Sequence, residues 1–364
     1  MTVILFLVIL AVLVFVHELG HFMAAKYFGI GVDEFAIGFP PTIYSVTRGE
    51  TKYSLNLIPF GGYVRIFGEN PDYASMTGAD SARSLVNAAK WKQIVVLLAG
   101  IFMNIVFAWL LISVSFNIGL VTSVQDQYKD QAKNVSVIVL SVEKNSPADK
   151  AGIQANDDIL NIRSDKAEVS DPGTSDVQNV IAGSNGAVNI EYKRGSTVNT
   201  VSVIPTSGLV SGRKAIGISM GLVGTVQFPF PRSLWESAKL TWLEAKNIAV
   251  GLCAFIAGAI HGDGSALAEI AGPVGIASMV GQAESIGISY LFGFIALISI
   301  NLAVLNLVPF PAFDGGRVFI LAVEAAVRRK IKPSVVNWIN LIGFGLIILL
   351  MLVITYHDIA RLVQ

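Results

Sequence analysis

The chain has 364 residues, 26 of them basic and 26 acidic, for a formal net charge of zero. Hydrophobic residues make up 53% and charged residues 14%, with a mean hydropathy of +0.62, which excludes an ordinary soluble domain and indicates a polytopic membrane protein. No basic run points to nucleic acid, and the single cysteine, Cys253, excludes an internal disulfide framework and a cysteine-rich metal site.

Residues 1–28 read as a first transmembrane helix. They lack the basic start and small-residue cleavage site of a signal peptide, and the charge-free run MTVILFLVILAVLVFV leads directly into His17-Glu18-Leu19-Gly20-His21. Ionisable groups at membrane depth cost a few kcal/mol each, so they mark function by default. In a helix, His17 and His21 lie one turn apart on one face, the spacing of an H-E-x-x-H zinc site, with Glu18 beside the metal as general base. Only two other histidines exist, His261 and His357, so a third zinc ligand is expected from a carboxylate.

Residues 29–92 form a loop between spans. Within it, 53–67 read YSLNLIPFGGYVRIF, two β-prone runs around Gly61-Gly62, which predicts a membrane-associated β-hairpin turning there. A second span is expected over 93–124. Residues 125–222 change character: polar, turn-rich and with short alternating strands, they predict an inserted α/β domain. Ser146-Pro147-Ala148-Asp149-Lys150-Ala151-Gly152-Ile153, followed by Asn156-Asp157-Asp158-Ile159-Leu160, resembles a stretch of bacterial PDZ domains. That likeness implies a strand edge able to capture a peptide or a C-terminus. Ile216-Gly217-Ile218 reads equally as the carboxylate-binding loop of a circularly permuted PDZ-like domain or as plain strand.

Residues 223–284 are expected to form an amphipathic, interfacial helical region. Residues 232–246 carry Trp235 and Trp242, and 248–261 are apolar but short, which favours a surface-lying or re-entrant helix over a fifth span. Ala271-Gly272-Pro273 should break the helix before a third span over 285–316. That span ends in Asn306-Leu307-Val308-Pro309-Phe310-Pro311-Ala312-Phe313-Asp314-Gly315-Gly316. Two prolines and two glycines exclude regular helix around Asp314. Asp314 is therefore the candidate third ligand, the other reading being a helix cap with an Asp-Gly turn. A fourth span is expected over 335–358.

Lysines and arginines concentrate in 26–92 and 317–332, which predicts a multi-pass protein with those loops in the cytosol and with both termini and residues 126–284 outside. The end of the first span and the end of the third then lie on one side, as a shared metal site requires.

In this order HELGH, Ala99-Gly100-Ile101-Phe102-Met103-Asn104, the PDZ-like insert and N-x-x-P-x-P-x-x-D-G-G are similar to the site-2 protease family, in its bacterial RseP-type branch. The resemblance covers almost the whole chain. Phe313 departs from the usual leucine, Phe39-Pro40-Pro41 from a more usual Gly-Pro, and one PDZ-like domain stands where some relatives have two. The resemblance implies an intramembrane zinc metalloprotease of the bacterial inner membrane. His17, His21 and Asp314 would hold Zn2+ near the cytosolic side, with Glu18 catalytic. Single-span membrane proteins, for example anti-sigma factor fragments, would be its substrates, and the lipid bilayer its setting. Pro59, Phe60, Gly61, Gly62 and Tyr63 would bind an unwound substrate as an added strand, helped by Asn306 or Asn104. Clearance of remnant signal peptides uses the same chemistry. A non-catalytic adaptor or metal carrier is a different class, and it would not need Glu18.

Overall fold

A computed structural model of the chain describes residues 2–69, 76–123, 131–195, 197–210, 213–261, 272–329 and 331–363. It divides into two compact units.

The first unit comprises residues 1–113, 234–284 and 291–364. Helix α1 (Thr2–Tyr27) is followed by strands β1 (Val32–Arg48) and β2 (Thr51–Ile66). The turn between the strands is at Gly49 and Glu50, with Gly49 at φ 61°, rather than at Gly61-Gly62 as the sequence suggested. Both β-prone runs belong to β2. The strand's first part pairs with β1 on one side, Leu55 opposite Ile37; it crosses the end of that segment at 59–61 and returns along the other side, Gly62 again opposite Ile37. Gly61, at φ 91°, makes that bend, and a side chain on Gly62 would overlap the Ala36 carbonyl. Residues 62–66 thus form an outer segment of the small sheet. The aromatic rings of Phe15, Phe22, Phe35 and Tyr53 knit the sheet to α1. At the base, Glu50 bridges Lys26, at 2.6 Å, and Arg83; these two cations hold its carboxyl below the usual range.

Helix α2 (Lys90–Ile118) packs on α1 through small residues. A Cβ on Gly20 would lie 2.3 Å from the Ala99 carbonyl oxygen. In a lipid setting, where burial gives little drive between helices, such close approach supplies the packing.

The second unit comprises residues 114–233 and 285–290. Strands β3 (Leu120–Ser123), β4 (Ala132–Val142), β5 (Asp158–Arg163) and β6 (Glu168–Ser170) precede β7 (Val188–Arg194), β8 (Thr197–Val203), β9 (Thr206–Val210), β10 (Arg213–Ala215) and β11 (Ile218–Val226). The main sheet has the order β3-β11-β4-β5-β7-β8, with β6 on β5; β9 and β10 form a separate hairpin. Two helices, α3 (Pro147–Lys150) and α4 (Thr174–Gly183), border a core of Val137, Ile162, Val177, Ile190 and Ile216. Full burial of such a side chain contributes about 1.5–3 kcal/mol.

The 146–158 motif has a local physical account. The Ser146 side chain caps α3, accepting from Asp149 N. Gly152 at φ 82° and Asn156 at φ 71° supply left-handed turns. Asp157 is wholly buried. It accepts from Gln154 N at 2.8 Å and takes two bonds of 2.7 Å from the Arg194 guanidinium.

Helix α5 (Arg232–Ile260) is one continuous helix, running through both the amphipathic stretch 232–246 and the apolar stretch that follows it. No proline interrupts it, and extending a formed helix across the change from amphipathic to apolar composition is easy. Helix α6 (Pro273–Ile286) and helix α7 (Ile288–Leu307) are separated by Gly287, at φ 140°. Helices α8 (Asp314–Val327) and α9 (Pro333–Val363) complete the fold. Asp358 is buried: it accepts from Gly272 N at 3.2 Å and Gly275 N at 2.9 Å, tying α9 to the start of α6. Five helices among the described residues are long and apolar enough to cross a membrane: Thr2–Tyr27, Lys90–Ile118, Arg232–Gly258, Ile288–Leu307 and Ser334–Tyr356. Four coincide with the spans read from sequence. The fifth, in α5, does not.

Replacing Asp157 with Ala removes both of its bonds to the partly exposed Arg194 guanidinium and opens the 154–157 turn. We expect a loss of about 1–3 kcal/mol in the second unit, measured as earlier thermal unfolding and faster proteolysis between residues 131 and 226; unchanged protection would contradict this account.

Candidate metal centre

Two helical turns and one irregular turn bring the site together. His17 and His21, four residues apart on α1, present their Nε2 atoms 3.2 Å from each other. Asp314 Oδ2 lies 3.0 Å from His17 Nε2 and 3.3 Å from His21 Nε2. Asp314 reaches them because α7 ends at Leu307 and the chain folds sharply before α8 begins at Asp314 itself. Ala312 takes φ 78° in that turn. A side chain on Gly315 or Gly316 would overlap the carbonyls of Leu307 or Phe310, so both glycines are needed. Asp314 is thus the first residue of a new helix and not the cap of the one before it.

The three donors form a nearly equilateral triangle. A tetrahedral zinc ion bonded at about 2.0–2.1 Å requires ligand atoms about 3.3 Å apart, and the observed edges are 3.0, 3.2 and 3.3 Å. The hydrogen bonding of His21 agrees. Its Nδ1 lies 2.8 Å from the Val96 carbonyl oxygen, which can only accept, so Nδ1 carries a proton. In the neutral ring Nε2 is then a lone pair aimed at a carboxylate oxygen and at a second imidazole. Such a cluster of acceptors is adverse alone and favourable around a cation. Two imidazoles and one carboxylate are also a known catalytic zinc set that leaves a fourth position open. His17, His21 and Asp314 therefore fit a zinc ion, and they are the one cluster of this kind among the described residues.

Helix α2 shapes the site from behind. Val96, Gly100 and Asn104 follow at four-residue intervals, so they share one face. Val96 offers its carbonyl to His21. A Cβ on Gly100 would lie 2.5 Å from His21 Nε2 and 2.8 Å from a His17 ring carbon. Asn104 Nδ2 stands 3.2 Å from His17 Nδ1. The sequence motif around Ala99-Gly100 and Asn104 thus acquires a physical meaning that sequence reasoning alone did not give to Gly100 or to the Val96 carbonyl.

Glu18 is half-buried on α1, and its Oε2 accepts a 3.0 Å hydrogen bond from Val64 N on the outer segment of β2. It lies within electrostatic reach of His17, His21, Asp314 and Glu69. Glu69 in turn pairs with Arg317 of α8, and Lys90 pairs with Glu324. Of the predicted substrate contacts, Gly61 and Gly62 are buried in β2, Tyr63 is half-buried and Pro59 is exposed. The side chain of Phe60 lies outside the described residues, as does that of His357. Asn306 is half-buried near the end of α7, and Asn104 is wholly buried against His17.

A membrane-type helical scaffold that gathers an HExxH pair and a remote aspartate defines a membrane metallopeptidase. The family model of peptidase family M50 matches residues 5–350. A Clostridium perfringens protein with a provisional zinc-metalloprotease name is 36% identical over 99% of this chain and 98% of its own length. Zinc metalloprotease RasP of Shouchella clausii is 29% identical, and Regulator of sigma-W protease RasP of Bacillus subtilis is 27% identical, each over 99% of both chains. The chain belongs to peptidase family M50, the site-2 protease family. It is a zinc-dependent metalloprotease and an integral membrane protein.

Replacing Gly100 with Ala should expel at least one imidazole from the triangle. Bound zinc in the purified chain should fall well below one equivalent. The same change at Gly251, which has open space around its Cα, should leave zinc content intact; equal zinc in both variants would contradict the packing account.

Proposed function

We propose that this metalloprotease hydrolyses peptide bonds within or beside transmembrane segments of membrane-anchored proteins, with His17, His21 and Asp314 as zinc ligands and Glu18 as the catalytic carboxylate. The observation that carries the reading is Glu18 itself: it sits between the donor triangle and the backbone of an outer strand, bonded to Val64 N at 3.0 Å. A carrier has no need of a base in that position.

Zinc, when bound, polarises a carbonyl and lowers the pKa of a coordinated water. Glu18 accepts the proton of the attacking water and returns it to the leaving nitrogen. The hydrogen bond from Val64 N orients one carboxylate oxygen, leaving the other for proton transfer. A substrate helix must unwind first, and its freed amides need partners in a low-dielectric setting. The outer segment of β2 is suited to this. Because Val64 N–H points away from β1, the alternation of an antiparallel pair turns the Gly62 peptide groups to the same side. With Val64 N–H held by Glu18, a substrate strand laid along the Gly62 peptide groups and the Val64 carbonyl would bring its scissile bond beside Glu18 and the metal. Asn306, at the end of α7, remains a candidate for holding the strand's far side.

The geometry also bears on topology. The donor triangle joins the late part of α1 to the segment just after α7, so the two helices run in the same direction through the bilayer. Only an even number of crossings besides α2 fits between them. Helix α5 then lies at the interface or re-enters, because α6, at 14 residues, is too short to supply a second crossing. Among the five candidates α5 is the least hydropathic, and its exposed Trp235 and Trp242 suit a headgroup level. This favours four spans, with the cytosolic side at Lys26, Arg317 and the metal centre, and both termini outside.

Residues 125–222 would form the external PDZ-like domain. Ser141, Glu143, Gln178, Ile181, Gly217 and Met220 are among the residues lining a groove of about 440 Å³ between the start of β11 and α4. Gly217, at φ 82° and packed against Ser146, would serve a peptide or C-terminus there. That one relative is named Regulator of sigma-W protease supports a membrane-anchored regulator of transcription as the substrate.

Glu18→Gln should keep one equivalent of zinc and cut a single-span reporter about 10²–10⁴ times more slowly. Retained cleavage would overturn the assignment, and loss of zinc would mean Glu18 is structural. A reporter N-methylated at alternate non-scissile amides of its cleaved segment should be cut about a hundredfold more slowly than the unmodified reporter; equal rates would remove the strand-addition step.

A further inference from the structure

Asn104 is wholly buried on α2. Its backbone carbonyl accepts from Ser299 Oγ at 2.8 Å, which anchors α2 to α7. Its side chain is different. Nδ2 stands 3.2 Å from His17 Nδ1, and Oδ1 is buried with no hydrogen-bond partner. Buried amides are normally fully bonded, because stripping water from an unpaired one costs about 1–3 kcal/mol. This amide is retained with His17 as its side-chain partner.

The need for it follows from the imidazole. His17 Nε2 is the atom that faces Asp314 and His21. A neutral imidazole carries one proton, so Nε2 can offer a lone pair to a cation only when the proton sits on Nδ1. That Nδ1–H then requires an acceptor, as metal-bound imidazoles generally have. For His21 the acceptor is the Val96 carbonyl. For His17 the group at Nδ1 is the Asn104 amide. A half-turn about Cβ–Cγ exchanges its nitrogen and oxygen at nearly the same positions. The amide therefore serves both tautomers: it donates to Nδ1 when Nε2–H pairs with Asp314, and it accepts from Nδ1–H when Nε2 is given to a cation.

We propose that Asn104 is the positioning residue for His17, its amide oxygen accepting from Nδ1–H in the zinc-loaded site and so directing Nε2 at the metal. The inference rests on the zinc assignment of His17, His21 and Asp314. It gives Asn104 a role distinct from the substrate contact that its motif suggests, a role consistent with its complete burial.

The test is the zinc affinity of the full-length chain in detergent, measured by competition with a chromogenic chelator and independent of cleavage. Asn104→Leu removes the acceptor at similar volume and should weaken zinc binding about 10–100-fold. Asn104→Asp keeps an acceptor and should bind zinc at least as tightly as wild type. Cleavage by the Leu variant should recover with added zinc. An Asn104→Leu chain that binds zinc normally yet fails to cleave would overturn the proposal in favour of a substrate contact. Equal weakening in both variants would overturn it in favour of packing. If the Leu variant does not fold, the Asp variant decides alone, weaker zinc being the adverse result. Asp314→Ala run alongside separates the two claims: wild-type zinc affinity there would undo the metal site itself.

Discussion

His17 Nε2, His21 Nε2 and Asp314 Oδ2 bring three ligand-type atoms within 3.0–3.3 Å of one another inside an apolar helical unit. Left alone, that arrangement is repulsive or must trap protons. Around a divalent cation it becomes the strongest link between the N-terminal helix and a segment 297 residues later in the chain. Helix–helix association in lipid lacks the hydrophobic drive of water, so a metal clasp joining α1 to the start of α8 can fix the register of the bundle as well as do chemistry.

Everything else near the site supports that clasp from a different direction. One face of α2 gives a carbonyl at Val96, a bare surface at Gly100 and an amide at Asn104, so the imidazoles are held on their Nδ1 sides and turned by their Nε2 atoms toward Asp314. The glycines at 315 and 316 let the 307–316 turn close tightly enough to deliver the carboxylate. From the remaining side, the outer segment of β2 reaches Glu18 through Val64 N. The donor triangle, Glu18 and the outer strand of the small sheet are thus brought within one small volume by four separate stretches of chain.

How much of this the sequence discloses depends on whether the deciding contact is local. The i, i+4 spacing of His17 and His21 is local, and the structure keeps it. The Ser146 cap and the Gly152 and Asn156 turns are local too. Asp314 could be brought near them only through charge-based topology, and the structure puts its carboxylate beside both rings. The misjudged hairpin turn depends on long-range partners. Gly49 and Gly61 both adopt positive φ, and only the pairing of Ile37 with both Gly62 and Leu55 reveals which one reverses the chain.

X-ray absorption at the zinc edge of the purified, zinc-loaded chain addresses the central claim most directly. The account predicts a four-coordinate shell of nitrogen and oxygen at about 2.0–2.1 Å, with outer-shell scattering from two imidazoles, and loss of one light-atom ligand when Asp314 is replaced by Ala. A sulfur neighbour, a single imidazole, or a spectrum indifferent to residue 314 would contradict it.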